Sequence, residues 1–435
     1  MEQGNIRAKR GGRINSSSAS RKEWTQVRPS TGGKLDAQAV LLLAVNALYA
    51  ISNALSGTFL PVYLWKASGS YLLIGWFSFG QFLAGGLTFW LAGKWVKEGN
   101  KMNSLRLGIL LSGLFFLTVL LLGKQATRYG VPLGMLSGTA MGFYWLAYNV
   151  VYFEITEPDN RDRYNGWAGL LGSAGGMIAP WISGYLITTL HGERGYRLIF
   201  TLSLIIFGVA CVLSFWLRKR EKGSERYSFS YGFRRLQEKG NPWRRMFAAV
   251  MAQGVREGVF MFLVGLTVYI ATSNESKLGN YTLLTSLIAL VSFWVIGKRL
   301  TMRNRNVAML AGTLLLGVAI MPLFWGVSYS MLLMFGIGTS LFMPLYIIPM
   351  TSRVFDLIGS TEEGASNREE YIVLREAALT LGRLIGLSGY LILLPINHSE
   401  QAIVWLMFIV GIMPVAGWYF MRPFLLAPTY VRKTR

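Results

Sequence analysis

The sequence predicts an all-α polytopic membrane protein in which twelve transmembrane helices form two pseudo-symmetric six-helix bundles. Of its 435 residues, 52% are hydrophobic and 15% are charged, whereas about 25% of a typical soluble domain is charged. The apolar residues form long blocks separated by short basic loops, and the mean hydropathy is +0.40. This pattern excludes a soluble enzyme, a disordered chain and a coiled coil.

The apolar blocks are each close to the ~20 residues that a helix needs to cross a bilayer. Helices are expected because no strand-like alternation occurs and because lipid requires backbone polar groups to be paired within the segment. The cores of the spans are predicted at residues 38–63, 71–93, 105–123, 131–153, 166–190, 198–217, 246–271, 280–297, 307–327, 329–352, 371–395 and 401–422.

The basic residues are concentrated in alternate loops, above all in the segment 218–245. Because Lys and Arg are enriched in cytoplasmic loops, both termini are predicted in the cytoplasm and the spans in the plasma membrane. The polar amino-terminal residues lack the apolar core of a signal peptide, so a disordered tail is expected there. The predicted division is a basic cytoplasmic tail at 1–37, a six-helix half at 38–217, a basic cytoplasmic loop at 218–245, a second six-helix half at 246–422 and a basic tail at 423–435.

The formal net charge of +22 would suggest nucleic acid as the partner of a soluble protein. Here the cations lie between the apolar blocks and at the ends of the chain, so no nucleic-acid partner is expected. The single cysteine, Cys211, cannot form an intramolecular disulfide. With His191 and His398 as the only histidines, neither a metal site nor a cofactor is expected.

Two short segments of the first half recur at equivalent places in the second half. Gly93-Lys94-Trp95-Val96 after the second span matches Gly297-Lys298-Arg299-Leu300 after the eighth. Ser183-Gly184-Tyr185-Leu186-Ile187 in the fifth span matches Ser388-Gly389-Tyr390-Leu391-Ile392 in the eleventh. Because each half has an even number of spans, the sequence predicts a parallel repeat about an axis along the membrane normal.

Two parallel six-helix halves joined by a basic loop resemble the major facilitator superfamily of secondary transporters, over roughly residues 38–422. In that family the loop after the second helix has a glycine, three residues, an acid, a basic residue and a second glycine. This sequence has lysine at the position of the acid, with the glutamate one residue later. The residues that carry this match are Gly93, Lys97, Glu98, Gly99 and Lys101. Because of this departure, the motif gives only weak grounds for expecting the loop to gate as it does in better-matched members.

The fifth span resembles the glycine-rich motif of the family's antiporters. Small residues let a neighbouring helix approach closely and proline bends a span, so the resemblance implies an exporter-type member. The alternative is ordinary glycine packing. An arginine that proton-coupled exporters often carry in the fourth helix is missing, which implies an altered coupling site. Relatives are expected among transporters of Gram-positive bacteria. The matching residues are Gly166, Gly175, Ala179, Pro180, Ser183 and Gly184.

Five ionisable residues lie well inside predicted spans, where a charge is costly and normally faces a cavity or a partner. Arg383 is about twelve residues, or ~18 Å at 1.5 Å per residue, into its span and therefore near the midplane. We predict that Glu257 pairs with Arg383 or Arg375, and that protonation of Glu257 or Glu376 breaks a pair during transport. The alternative is a permanent structural ion pair. The five residues are Arg256, Glu257, Arg375, Glu376 and Arg383.

Amide and aromatic side chains form stripes on the first and fourth spans. Such a surface suits a bulky amphiphilic solute, which it would bind by stacking and a few hydrogen bonds. The alternative is helix packing and anchoring at the membrane boundary. The candidate cavity residues are Asn46, Tyr49, Asn53, Tyr144, Trp145, Tyr148, Asn149 and Tyr152.

Together these features predict a monomeric secondary transporter that exports an amphiphilic compound by alternating access, driven by protons. The first alternative is uptake of an anionic solute, with Arg256, Arg375 and Arg383 holding its charge. The second is a non-transporting receptor or scaffold in the same bilayer. Enzymatic activity is not expected, because the sequence has no metal-ligand pair and no nucleophile–base spacing. Transport driven directly by ATP is not expected either, because the sequence has no ATP-binding loop.

Overall fold

The structure is a computed structural model that describes residues 35–156, 158–190, 193–219, 226–359, 367–397 and 399–426. Nearly all of the expected amino-terminal tail lies outside these residues, as do both histidines. Within the described ranges the chain forms helices and no strand.

The first six predicted spans are six helices. They are α1 at Ala37–Gly57, continued by Leu60–Ser68, then α2 at Tyr71–Glu98, α3 at Lys101–Leu122, α4 at Gly130–Ile155, α5 at Pro158–Thr189 and α6 at Glu193–Ser214. The 3₁₀ segment Gly123–Tyr129 joins α3 to α4.

The second half repeats this arrangement. Its helices are α7 at Pro242–Thr272, α8 at Glu275–Arg299, α9 at Arg305–Val318 with the 3₁₀ segment Met321–Trp325, α10 at Tyr329–Gly359, α11 at Arg368–Ile396 and α12 at Glu400–Gly411 continued by Met413–Leu426. A short helix, Tyr231–Gln237, lies in the loop between the halves.

The described residues contain 11 helical stretches that are long and apolar enough to cross a membrane. One of them, Lys101–Tyr152, has 52 residues and contains both α3 and α4. The fold is therefore the predicted all-α membrane fold with twelve spans. Several helices extend beyond the predicted cores, because the hydrophobic pattern marks only the apolar part of each helix.

The first and last spans are each broken into two helices, where the sequence predicted single ones. The breaks lie between Gly57 and Leu60 and at Ile412. In each case a proline follows closely, Pro61 or Pro414, and it has no amide hydrogen to donate to the carbonyl four residues earlier. The hydrophobic pattern continues across both breaks and therefore did not reveal them.

Glycines allow the close packing of helices within each half. In α4, Gly142 lies so close to α2 that a Cβ there would be 2.7 Å from the Cβ of Thr88. In α7, a Cβ on Gly258 would be 2.6 Å from the Cα of Arg383 in α11. Backbone contact of this kind holds α7 against α11 and fixes where their polar side chains meet.

The halves contact each other along α2 and α11. We call the end of the bundle where α1 begins and α12 ends the terminal end, and the other the far end. At the far end the Tyr390 hydroxyl donates to the carbonyl of Tyr71 at 2.9 Å. At the terminal end Lys97 pairs with Glu370. A second contact between the halves joins α5 to α8 near the far end, where Gly279 lies against the backbone of Pro180.

Candidate substrate cavity and ion pairs

A cavity of about 330 Å³ lies between the halves and is lined by α2, α4, α7 and α11. We call it the central cavity. Its wall from the first half is apolar and aromatic, with two amides, whereas the wall from the second half holds all of its charged lining residues. The principal lining residues are Gln81, Phe82, Phe89, Met141, Trp145 and Asn149 from the first half, and Gln253, Glu257, Met261, Arg375, Glu376 and Arg383 from the second.

Arg383 pairs with two carboxylates at this cavity. Its Nη2 lies 3.0 Å from Oε2 of Glu257, and its Nη1 lies 2.7 Å from Oε1 of Glu376. We call these three residues the ion triad. Glu257 therefore pairs with Arg383, one of the two arginines that the sequence predicted as its partner. When all three groups are ionised, two negative charges share one positive charge.

The backbone and the aromatic wall both position the Arg383 guanidinium. The missing side chain of Gly258 lets the backbone of α11 approach α7, which brings Glu257 within reach of Arg383. The guanidinium carbon also lies 5.3 Å from the ring centre of Phe82 in α2. Such a cation–π contact is attractive and links the triad to the first half.

Gln253 is a member of the site that the sequence reasoning missed. Its Nε2 donates to Oε1 of Glu257 at 2.6 Å, from one helical turn earlier in α7. The side chain is 7% exposed and lines the central cavity. An amide four residues before an intramembrane carboxylate is a signal that could have identified it.

The two remaining arginines are placed differently. Arg375 lines the central cavity with its guanidinium carbon 5.7 Å from the Phe355 ring centre, and it makes no ion pair with any residue that the structure describes. Arg256 is 6% exposed and does not line this cavity. Its guanidinium lies over Phe260 and its Nη1 is 3.6 Å from Sδ of Met343 in α10.

A second cavity, of about 400 Å³, adjoins the central one and is lined mainly by α1 to α4. We call it the first-half cavity. The described residues that line it have no charged side chain, and most of their polar groups are hydroxyls and amides. These are Tyr49, Asn53, Thr58, Ser78, Gln81, Ser112 and Ser137. Trp145 and Met261 are among the residues that line both cavities.

The aromatic stripe of α4 divides between cavity and packing. Trp145 and Asn149 line the central cavity, whereas Tyr144 and Tyr148 are buried and line neither cavity. The ring of Tyr144 stacks on that of Tyr49 with 3.4 Å between centroids.

Hydroxyl contacts show which helices the tyrosine face meets. Tyr144 donates to Oδ1 of Asn46 in α1 at 3.0 Å, and Tyr152 donates to Oδ1 of Asn165 in α5 at 2.7 Å. The hydroxyl of Tyr148 lies 3.2 Å from that of Tyr164, also in α5. Asn46 and Tyr152, like Tyr144 and Tyr148, therefore join helices and are absent from both cavity walls.

The loop motif of the first half contacts the second half at the terminal end. Lys97 Nζ lies 2.8 and 3.0 Å from the two carboxylate oxygens of Glu370. Lys101 pairs with Glu154 at the end of α4. Gly99 follows the last residue of α2 and donates its amide to the carbonyl of Trp95.

A segment of the middle loop crosses this contact. We call residues 227–229 the strap. The amide of Tyr227 donates to Oε1 of Glu98 at 2.8 Å, and the amide of Ser228 donates to Oε1 of Glu370 at 3.3 Å. The Tyr227 ring lies where a side chain on Gly93 would project. Burial, and then the charge of Glu370, raise the pKa of the Tyr227 phenol, so it stays protonated.

At the far end a different pair joins the halves. Lys66, at the end of α1, lies 2.8 Å from Oε1 of Glu275, at the start of α8. The hydroxyl of Tyr196 donates to the same oxygen at 3.1 Å. Neither Lys66 nor Glu275 is among the predicted intramembrane charges, because charges near span ends can extend to water.

The antiporter-like residues of α5 differ in their surroundings. Gly175 packs against Ile51 of α1, and Gly184 packs against the backbone of Glu275 in α8. Ala179 and Ser183 are buried, and the Ser183 hydroxyl has no hydrogen-bond partner among the described residues. No atom lies within 4 Å of where a side chain on Gly166 would begin. The helix runs continuously through Pro180.

Comparison with known proteins gives two relatives of similar sequence. "Uncharacterized protein YqgE" of Bacillus subtilis (strain 168) is 36% identical over 384 residues, which cover 88% of this chain and 89% of that protein. "Uncharacterized protein in sodM 3'region" of Geobacillus stearothermophilus is 39% identical over 192 residues, which cover 44% of this chain and 90% of that protein.

Solved structures of transporters share the fold at low sequence identity. A bacterial homologue of the iron transporter ferroportin, in an outward-facing state, has a TM-score of 0.63 at 14% identity and covers 89% of this chain and 99% of its own. The human organic anion transporter MFSD10 (TETRAN) has a TM-score of 0.60 at 14% identity, with 89% and 98% covered. These similarities concern the fold alone.

The family model for the Major Facilitator Superfamily matches residues 42–386. This match and the fold confirm the predicted resemblance. The chain belongs to the major facilitator superfamily, and it is a multi-pass protein of a family that carries small molecules across membranes.

Proposed function

We propose that this protein is a proton-coupled exporter of a small amphiphilic compound, which binds in the central cavity while the two halves alternate around it. In this proposal it works as a monomer in the plasma membrane, with both termini and the middle loop in the cytoplasm. The observation that carries the proposal is the ion triad, in which two carboxylates share one guanidinium at a cavity lined from both halves.

The shared guanidinium lets the site change its protonation state at low cost. Removing one partner of an ordinary buried ion pair costs about 3–5 kcal/mol, because the other charge is left uncompensated. Here Arg383 keeps a carboxylate partner when either Glu257 or Glu376 takes a proton. A site of this kind can bind and release a proton without losing all of its ion pairs.

The two walls of the central cavity support an amphiphilic solute. Phe82, Phe89 and Trp145 offer apolar surface from the first half, and the charged groups come from the second. Its volume of about 330 Å³ is at the lower end of the roughly 300–1,000 Å³ of small-molecule sites. The adjoining first-half cavity extends the uncharged part of the site.

The direction of transport is proposed from α5. Its antiporter-like segment packs closely against α1 through Gly175 and against α8 through Gly184, as small residues permit. The resemblance of this segment to the motif of family antiporters favours export in exchange for protons.

One observation favours uptake of an anion as a second candidate. Arg375 lines the central cavity without an ion pair to any described residue, so its guanidinium is available to an anionic group. An anion held there would sit beside Glu376, whose charge would repel it unless Glu376 were protonated. Proton-coupled uptake of an anion is therefore the alternative that the same site supports.

Purified protein in vesicles that contain a pH-sensitive dye distinguishes these candidates. If the protein exchanges solute for protons, the pH of an acidic interior should rise when an amphiphilic dye such as rhodamine 6G is added outside, because protons leave as the dye enters. Vesicles that hold the Glu257→Gln/Glu376→Gln double variant provide the control. A change of interior pH that follows addition of carboxyfluorescein but not of rhodamine 6G, and that is lost in Arg375→Gln, would favour transport of an anion. No response to any solute under any gradient would favour a receptor or scaffold.

A further inference from the structure

We infer that Gln253 is a positioning residue that keeps Glu257 ionised, so that Glu376 is the carboxylate that takes the proton. The inference rests on the proposed function in that it treats the ion triad as the coupling site. It concerns which member of the triad changes its protonation state, and that can be measured without a transported solute.

The two carboxylates of the triad have different hydrogen-bond partners. Both oxygens of Glu257 are bonded, Oε1 to the amide of Gln253 at 2.6 Å and Oε2 to Arg383 at 3.0 Å. Oε1 of Glu376 accepts from Arg383 at 2.7 Å. No described residue donates a hydrogen bond to Oε2 of Glu376.

This difference decides where a proton costs least. Hydrogen bonds donated to a carboxylate stabilise its ionised form, and bonds to a charged acceptor are stronger than neutral ones. Protonating Glu257 would weaken two such bonds, whereas protonating Glu376 would weaken one. A proton on Oε2 of Glu376 also leaves the pair between Glu257 and Arg383 intact. The proton enters from the central cavity, which Glu376 lines, and returns there.

The other groups near Glu257 leave this comparison unchanged. Arg256 and Tyr346 are buried outside the cavity lining, and α2 and α4 contribute uncharged lining residues such as Gln81 and Asn149. The charged and titratable groups around Glu257 are Arg256 on α7, Tyr346 on α10, and Arg375, Glu376 and Arg383 on α11.

Infrared difference spectra of the purified full-length protein, titrated with pH in lipid, test the inference through the carbonyl band of protonated carboxyl groups. Glu376→Gln should remove one titrating carboxyl band from the wild-type spectrum. Glu257→Gln should keep that band but move its midpoint about one pH unit toward acid, because Glu376 becomes the sole carboxylate partner of Arg383. Gln253→Met should move the midpoint about one unit toward alkali, because Glu257 without its donor takes the proton more readily than Glu376 does in the wild-type protein.

The matched control is Gln81→Met. Gln81 also lines the central cavity, but its amide donates to the Ser137 hydroxyl at 3.0 Å and not to the triad, so the midpoint should stay at the wild-type value. A band that survives Glu376→Gln and disappears in Glu257→Gln would overturn the inference, as would a Gln253→Met midpoint equal to that of wild type. Spectra as expected in a protein that moves no solute would refute only the proposed transport function.

Discussion

Lys97 and Glu370 form a buried ion pair that joins the two halves at the terminal end. Nζ of Lys97 lies 2.8 and 3.0 Å from the carboxylate oxygens, and the two side chains are 4% and 1% exposed. The family's loop signature has an acid where this chain has Lys97. The charge is therefore reversed in this loop, and its partner is an acid near the start of α11.

Loss of one partner of this pair should weaken the contact strongly. Glu370→Gln removes the carboxylate that pairs with the buried Lys97 ammonium, and breaking a buried ion pair in this way costs about 3–5 kcal/mol. We expect the melting temperature of the purified protein to fall by several degrees. Lys94→Met, at an exposed position one turn earlier in α2, should leave it unchanged. The swap Lys97→Glu/Glu370→Lys should recover part of the loss, and no recovery would mean that the pair is not the cause.

The strap depends on the absence of a side chain at Gly93. A Cβ there would be 2.6 Å from the Tyr227 hydroxyl oxygen, so Gly93→Val should displace the ring. The amides of Tyr227 and Ser228 would then lose their carboxylate acceptors. Hydrogen exchange in a peptide that covers the strap should accelerate about tenfold or more.

Gly166→Val provides the comparison for this experiment, because no atom lies within 4 Å of its added Cβ. In Gly166→Val, the backbone amides of the strap should exchange at the wild-type rate. Equal exchange rates of the strap in wild type and in Gly93→Val would show that the strap does not need the space beside Gly93.

Helical periodicity correctly places the tyrosines of α4 on one face, since Tyr144 and Tyr148 stack with 5.9 Å between ring centroids. Periodicity cannot tell which neighbour that face meets, and here it meets α1 and α5 rather than a cavity. The contact between Glu257 and Arg383 was predictable because few charges lie inside the spans and each needs a partner. Lys66 and Glu275 lie at span ends, where water is an equally good partner, so only the structure reveals their contact.

Close backbone packing of α7 on α11 should be necessary for the ion triad. Gly258→Ala places a methyl group 2.6 Å from the Cα of Arg383, and overpacking of this kind costs about 1–3 kcal/mol. We expect a lower melting temperature together with a changed carboxyl titration, because α11 must move away from Glu257. Gly265→Ala, whose added Cβ would have only Leu278 nearby at 3.8 Å, should change neither. An unchanged carboxyl titration in Gly258→Ala would show that the ion triad does not depend on this packing.

The pair between Lys66 and Glu275 should hold the far end closed, but less firmly than the terminal pair. The Lys66 side chain is 37% exposed, and pairs that water reaches contribute about 0–1 kcal/mol. Lys66→Met should therefore raise the population open at the far end by up to about fivefold. The measurement is the labelling rate of Thr58→Cys, which lines the first-half cavity, by a membrane-impermeant maleimide in a Cys211→Ser background. Lys277→Met, in the same first turn of α8 but outside the pair, should label at the parent rate. A Lys66→Met rate equal to that of the parent would show that the hydrophobic contacts around the pair close this end without it.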